Sequence, residues 1–215
     1  MSFTNITSEL REAGVHAEEL RTALVHLQQN VYEFDELVLQ GKFGTVSPAV
    51  IIDQAEDIRR MLVQNVEDHL VPIGKAIEDS DRIISPLIDY VDLEDARSLI
   101  HDQTLSTRES QFAATNLSEV EGALARTARL APSNPNTISI ARIVADEATS
   151  GLESARRSIH CLTGYLPRLA DRFESGPSPS APVVQLPEQS IAPVAEKAKV
   201  LRLSREINHA KAVGH

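Results

Sequence analysis

An unbroken heptad rhythm near both ends of its foldable part constrains this chain more than any other feature. Close to the start, apolar residues recur as Phe3, Ile6, Leu10, Ala13, Ala17, Leu20, Leu24, Leu27, Val31, Phe34 and Val38. A second run reads Ile138, Ala141, Ala145, Ala148, Leu152, Ala155, Ile159, Leu162, Leu166, Leu169 and Phe173. Alternating steps of three and four residues are the a/d spacing of a helix that buries one stripe against other helices. Both runs are small near their start (Ala13, Gly14 and Ala17; Ala141, Ala145 and Ala148) and bulky toward their end (Leu24, Leu27, Val31 and Phe34; Leu162, Leu166, Leu169 and Phe173). If the two helices lie antiparallel, the alanines of each meet the large side chains of the other, which fills an interior without voids.

The segment between them is less regular. Ile51, Ala55, Ile58, Leu62, Val66, His69, Ile73, Ile77, Ser80, Ile84, Ile88 and Val91 follow an eleven-residue period, closer to a straight helix than to a supercoil. Gly41 is expected to stop the first helix after Gln40, Gly44 to supply a second break, and Ser47-Pro48 to open the second helix. Pro72 and Pro86 predict a kink, or a break near Pro86. The polar run Asp102 to Gln111 and the capping-box pattern Asn116-Leu-Ser-Glu119 predict an interrupted third helix that restarts at 116. Pro132-Ser-Asn134-Pro135 reads as the turn before the fourth helix, whose last turn Pro167 is expected to bend.

The expected fold is all-α. Two tandem helical hairpins, about 3–91 and 92–173, are expected to close into an up-down four-helix bundle over 1–174; the rival arrangement is two open hairpins, or a hairpin pair completed by a second copy. A Pro/Ser-rich linker (175–194) and a short basic amphipathic tail (195–215), flexible as a whole, follow. Low aromatic content, 4% with no Trp, suits an aliphatic, alanine-rich helical core. A formal charge of −10 argues against nucleic-acid binding by the main body. Lone Cys161 permits no internal disulfide. No run of eighteen apolar residues suggests a membrane span, and Met1 to Asn5 lack the features of a conventional secretory signal.

Chemistry-bearing motifs are sparse. Di-metal bundles use Glu-x-x-His pairs with further inward carboxylates, whereas the two heptad stripes hold no ionisable residue. Glu12 and His16 lie four apart but off the stripe, and read as solvated surface. His69 falls on the second helix's stripe and reads as a core or boundary histidine. His160 and Cys161 are adjacent, so they face different sides of a helix. The Gly-Lys pairs at 41–42 and 74–75 lack the Ser/Thr of a phosphate loop. No catalytic, cofactor-binding or metal set is assigned, and the chain is expected not to be an enzyme. In the tail, Lys197, Lys199, Arg202, Arg205 and Lys211 form a candidate contact for an acidic partner or a weak one for an anionic surface.

Tyr90-Val-Asp-Leu-Glu94 follows a long-helix hairpin of about ninety residues with a glycine-containing turn near 41. That layout resembles the WXG superfamily, the helical-hairpin proteins of type VII (ESX) secretion in actinobacteria. In this chain Phe43-Gly44 stands in the turn where the family has Trp-x-Gly, and Tyr32 to Glu36 repeats the Tyr-x-x-x-Glu pattern inside the first helix. The resemblance implies self-association or pairing through helix faces, and Tyr90 and Glu94 as an export motif. It also implies a cytoplasmic protein, or one exported without a conventional signal by a type VII-like route. The function expected is therefore a protein–protein interaction module, a secretion substrate or partner. The alternatives are an intracellular structural or assembly scaffold or adaptor, phage- or toxin-associated forms included, and more remotely a helical-bundle metalloprotein.

Overall fold

The structure, a computed structural model, describes residues 3–86 and 93–175, and all of them lie in one compact unit, Met1–Ser178. Helix α1 spans Phe3–Lys42, α2 Pro48–Asn65, a π-helical turn Val66–Leu70, α3 Val71–Ile84, α4 Leu93–Ala128 and α5 Thr137–Ser175. The described residues contain no strand, and none of these helices is long and apolar enough to cross a membrane.

The helices form an up-down-up-down bundle, as the stripes predict. Contacts across each seam show the antiparallel order. Arg11 on α1 reaches Asp171 and Glu174 on α5 at 3.2 and 2.7 Å, and Asp35 meets Arg142 at the other end. Arg126 of α4 pairs with Glu147 of α5, and Arg59 of α2 reaches Glu121 of α4 at 2.8 Å. Arg59 also binds Glu56; the guanidinium holds the Glu56 carboxyl below the usual carboxylate range. Inside, Ile6 through Val38 of the first stripe and Ala141 through Phe173 of the second are buried in one continuous core. The small end of α1 (Ala13, Gly14) lies level with Pro167 on α5: a Cβ on Gly14 would sit 3.6 Å from the proline ring. Large-to-small matching along this seam is thus realised.

Helix α1 ends in a Schellman motif. Thr45 N–H donates to the Gln40 carbonyl and Gly44 N–H to that of Gly41, at 3.1 and 3.0 Å. Gly44 takes φ +75°, where a Cβ would be strained. The stop therefore falls at Gly44, whereas Gly41, the expected stop, is still helical.

The expected break near Pro86 is present, while the surroundings of Pro72 and the course of the third helix differ from expectation. Pro72 follows the π-turn, in which Val71 N–H reaches back five residues to the Val66 carbonyl. Proline cannot donate to Asp68, and its ring would strike that carbonyl in a regular α-turn; one extra residue in the turn relieves the clash. The extra residue gives the core position to Leu70, 6% exposed, and leaves His69 at the boundary. Helix α3 stops at Ile84, just before Ser85-Pro86.

Helix α4 is continuous through the polar run, contrary to the expected interruption. Its polar residues are spaced helically and face inward: Asp102, Gln103, Ser106 and Glu109 are all buried. Gln103 donates to the Ile77 carbonyl at 2.8 Å and accepts from the Ser80 hydroxyl at 2.7 Å. Asp102 accepts from Arg172 of α5 at 2.5 Å. These partners satisfy the groups that would otherwise oppose burial. Asn116, the expected cap, sits within the helix and donates to the Phe112 carbonyl. Helix α5 likewise runs through Pro167 to Ser175 without interruption.

Candidate functional site

The π-turn and the adjoining face of α1 bring together the most chemically distinctive cluster among the described residues: His16, Glu19 and His69. His16 and Glu19 are three apart on α1 and so share a face. His69 arrives from the π-turn. The two Nδ1 atoms lie 3.3 Å apart; His69 Nδ1 is 3.3 Å and His16 Nδ1 3.6 Å from the same Glu19 oxygen, Oε2. The imidazole rings are tilted, with centroids 5.5 Å apart. Their side chains are 24% and 21% exposed and that of Glu19 53%, so the cluster is a half-buried seam open to water on the carboxylate side.

A cleft of about 290 Å³ adjoins it, lined by Glu9, Glu12, Ala13 and His16 of α1 with Pro72, Lys75 and Ala76 of α3. Glu12 and His16 thus do share a feature, but the closest partners of His16 are Glu19 and His69. Such an arrangement can share protons between imidazoles or present three donor atoms to a cation. It contains no nucleophile of the Ser or Cys type.

A second concavity, about 790 Å³ and open, runs along the α4–α5 seam between Glu119, Arg126, Asp146 and Glu147. Gly122 and Gly151 line it without side chains, and Arg126 and Glu147 pair across it.

Other residues singled out in the sequence are dispersed. Cys161 is half-buried and His160 exposed on α5. Tyr32 lies within α1, its hydroxyl accepting from Gln28 at 3.0 Å. Phe43, in the α1–α2 turn, is 78% exposed. Tyr90, Lys197, Lys199, Arg202, Arg205 and Lys211 lie outside the described residues, and so does the side chain of Glu94, whose backbone belongs to the first turn of α4.

The pairing of His16 with His69 has no signature in the linear sequence. The two are 53 residues apart and meet only through the α1–α2 hairpin register and the π-turn. Pro72 three residues after a histidine on an apolar stripe is the signal that hints at a re-aimed side chain. Comparison with protein-family models, with curated proteins and with solved structures finds no match.

Proposed function

We propose that this chain is a non-enzymatic helical interaction module, a substrate or partner of a type VII-like secretion route. What supports the reading is the placement of Phe43. It is the last residue before the left-handed Gly44, on a turn fixed by the Schellman hydrogen bonds, and 78% of it meets solvent. Leu39, one turn earlier, and Val50, in the first turn of α2, are 42% and 46% exposed at the same end of the bundle. A rigidly presented aromatic with aliphatic neighbours gains from docking, since its apolar surface leaves water and little side-chain order is lost. This is also the turn in which the WXG superfamily carries its Trp-x-Gly.

The test is export from a strain with an intact ESX system. The reading expects the full chain in the culture supernatant, with export lost on Tyr90→Ala and partner co-purification lost on Phe43→Ala. Retention of the wild-type chain in the cytoplasm overturns it. A second reading, an assembly scaffold, draws on the 40-residue α1, a rod of about 60 Å. It is favoured if a cytoplasmic partner is lost when residues 176–215 are deleted.

A further inference from the structure

We propose that His16, Glu19 and His69 bind a divalent first-row cation, with zinc as the best fit. The inference stands apart from the interaction reading, and neither depends on the other. It begins with distances. A tetrahedral ion with bonds of about 2.0–2.1 Å holds its ligand atoms about 3.3–3.4 Å apart. The three donor atoms here are separated by 3.3, 3.3 and 3.6 Å. They form one face of such a tetrahedron, and a point about 2 Å from all three lies just off their plane. All three atoms already lie close enough together to share one ion.

The donor set agrees with the distances. Two imidazole nitrogens and one carboxylate oxygen are a common ligand set of zinc sites with one open position. The Nδ1 atoms face each other, so at most one can carry a proton between them; a second proton would set two N–H groups against one another. A cation takes both lone pairs and leaves each Nε2 as the donor, while Glu19 offsets its charge. The fourth position is open to water. Beside it, the cleft holding Glu9, Glu12 and Lys75 supplies further polar groups.

The backbone provides an independent pointer. Pro72 forces the π-turn, and π-turns inside helices recur where a side chain must be aimed for function. Here the turn withdraws His69 from the core stripe, seats Leu70 in its place and directs the imidazole to α1. A bound ion ties α1 to the junction of α2 and α3, the one irregular place in the described part of the α2–α3 arm. Its role is to clip and stiffen that arm.

The test uses the full chain stripped with a chelator and then titrated with zinc by calorimetry, and with cobalt(II) by visible absorption. One ion per chain is expected, with the intense visible bands of four-coordinate cobalt and a zinc-dependent rise in Tm. His16→Ala and His69→Ala should each weaken binding by about a hundredfold or more, and Glu19→Gln by about tenfold, given that even outer-shell losses cost 10–100-fold. His26→Ala, a change on the exposed surface of α1, should leave binding unaltered. Metal-free Tm values of the variants close to that of the wild type establish that the bundle remains folded. Two results overturn the proposal. Undiminished stoichiometric binding by the His16→Ala/His69→Ala double variant would place the ion elsewhere. No binding by the wild type at low-micromolar zinc would leave His16 and His69 as a hydrogen-bonded pair.

Discussion

Replacing Gly151 by alanine tests a close approach of α4 and α5. A Cβ at this position would lie 2.4 Å from Val120 Cγ2 and 3.5 Å from the Asn116 carbonyl oxygen. Val120 is 1% exposed, and as a β-branched residue in a helix it has one favoured rotamer, so its methyl cannot turn aside. Relief requires α4 and α5 to separate, an overpacking cost of about 1–3 kcal/mol. Against it stands the helix propensity of alanine over glycine, about 0.8–1.0 kcal/mol. The net expectation is a loss of about 0–2 kcal/mol.

Gly122 is the internal control. It lies on α4 in the same seam, yet a Cβ there would meet nothing within 4 Å. Gly122→Ala should therefore stabilise by up to about 1 kcal/mol, a rise of about 2–4 °C in Tm. Val120→Ala alone should cost about 1–3 kcal/mol by removing two buried methyl groups. Combined with Gly151→Ala it should cost less than the sum, by about 1 kcal/mol or more, because the new methyl enters the space that Val120 vacated. Urea denaturation followed by circular dichroism reads all four variants. If Gly151→Ala stabilises as much as Gly122→Ala, and adds independently to Val120→Ala, the close α4–α5 seam is refuted.

Two further expectations concern the core. Leu24→Ala and Leu162→Ala each empty a site at most 1% exposed and should cost about 2–5 kcal/mol in the same assay; losses under about half a kcal/mol at both would mean that these faces are not buried. Thr127 is fully buried and its hydroxyl has no hydrogen-bond partner. Thr127→Val should accordingly raise stability by about 1 kcal/mol, whereas Gln103→Leu, which removes the amide's two hydrogen bonds and leaves the Ser80 hydroxyl and the Ile77 carbonyl bonded to each other, should lower it by about 1–2 kcal/mol.

What could be read from the sequence follows the physics of each level. The α1 and α5 stripes are legible because burial alone dictates them, and their small-to-bulky polarity even specifies the antiparallel pairing. Helix α4 misleads because Asp102, Gln103, Ser106 and Glu109 look like solvent residues. The burial of Asp102 and Gln103 depends on Arg172, Ser80 and Ile77, which arrive from other helices, whereas Ser106 bonds the Asp102 carbonyl and Glu109 pairs with Arg108 within α4. The same holds for the stop of α1: Gly41 and Gly44 are equivalent as letters, and only the backbone φ separates them. The His16–Glu19–His69 cluster is least legible, since it needs both the hairpin register and a π-turn whose only sequence mark is Pro72.

The claim on which the rest depends is that α1 and α5 of one chain lie antiparallel along their full length. Cysteine pairs test it directly in a Cys161→Ser background, joined by a short bis-maleimide. Arg11→Cys with Asp171→Cys, and Asp35→Cys with Arg142→Cys, replace contacting pairs at opposite ends of the seam. Both should cross-link within the monomer, while the mismatched Arg11→Cys with Arg142→Cys should not. Cross-links that form only between chains, or equal yields from matched and mismatched pairs, would contradict the closed single-chain bundle.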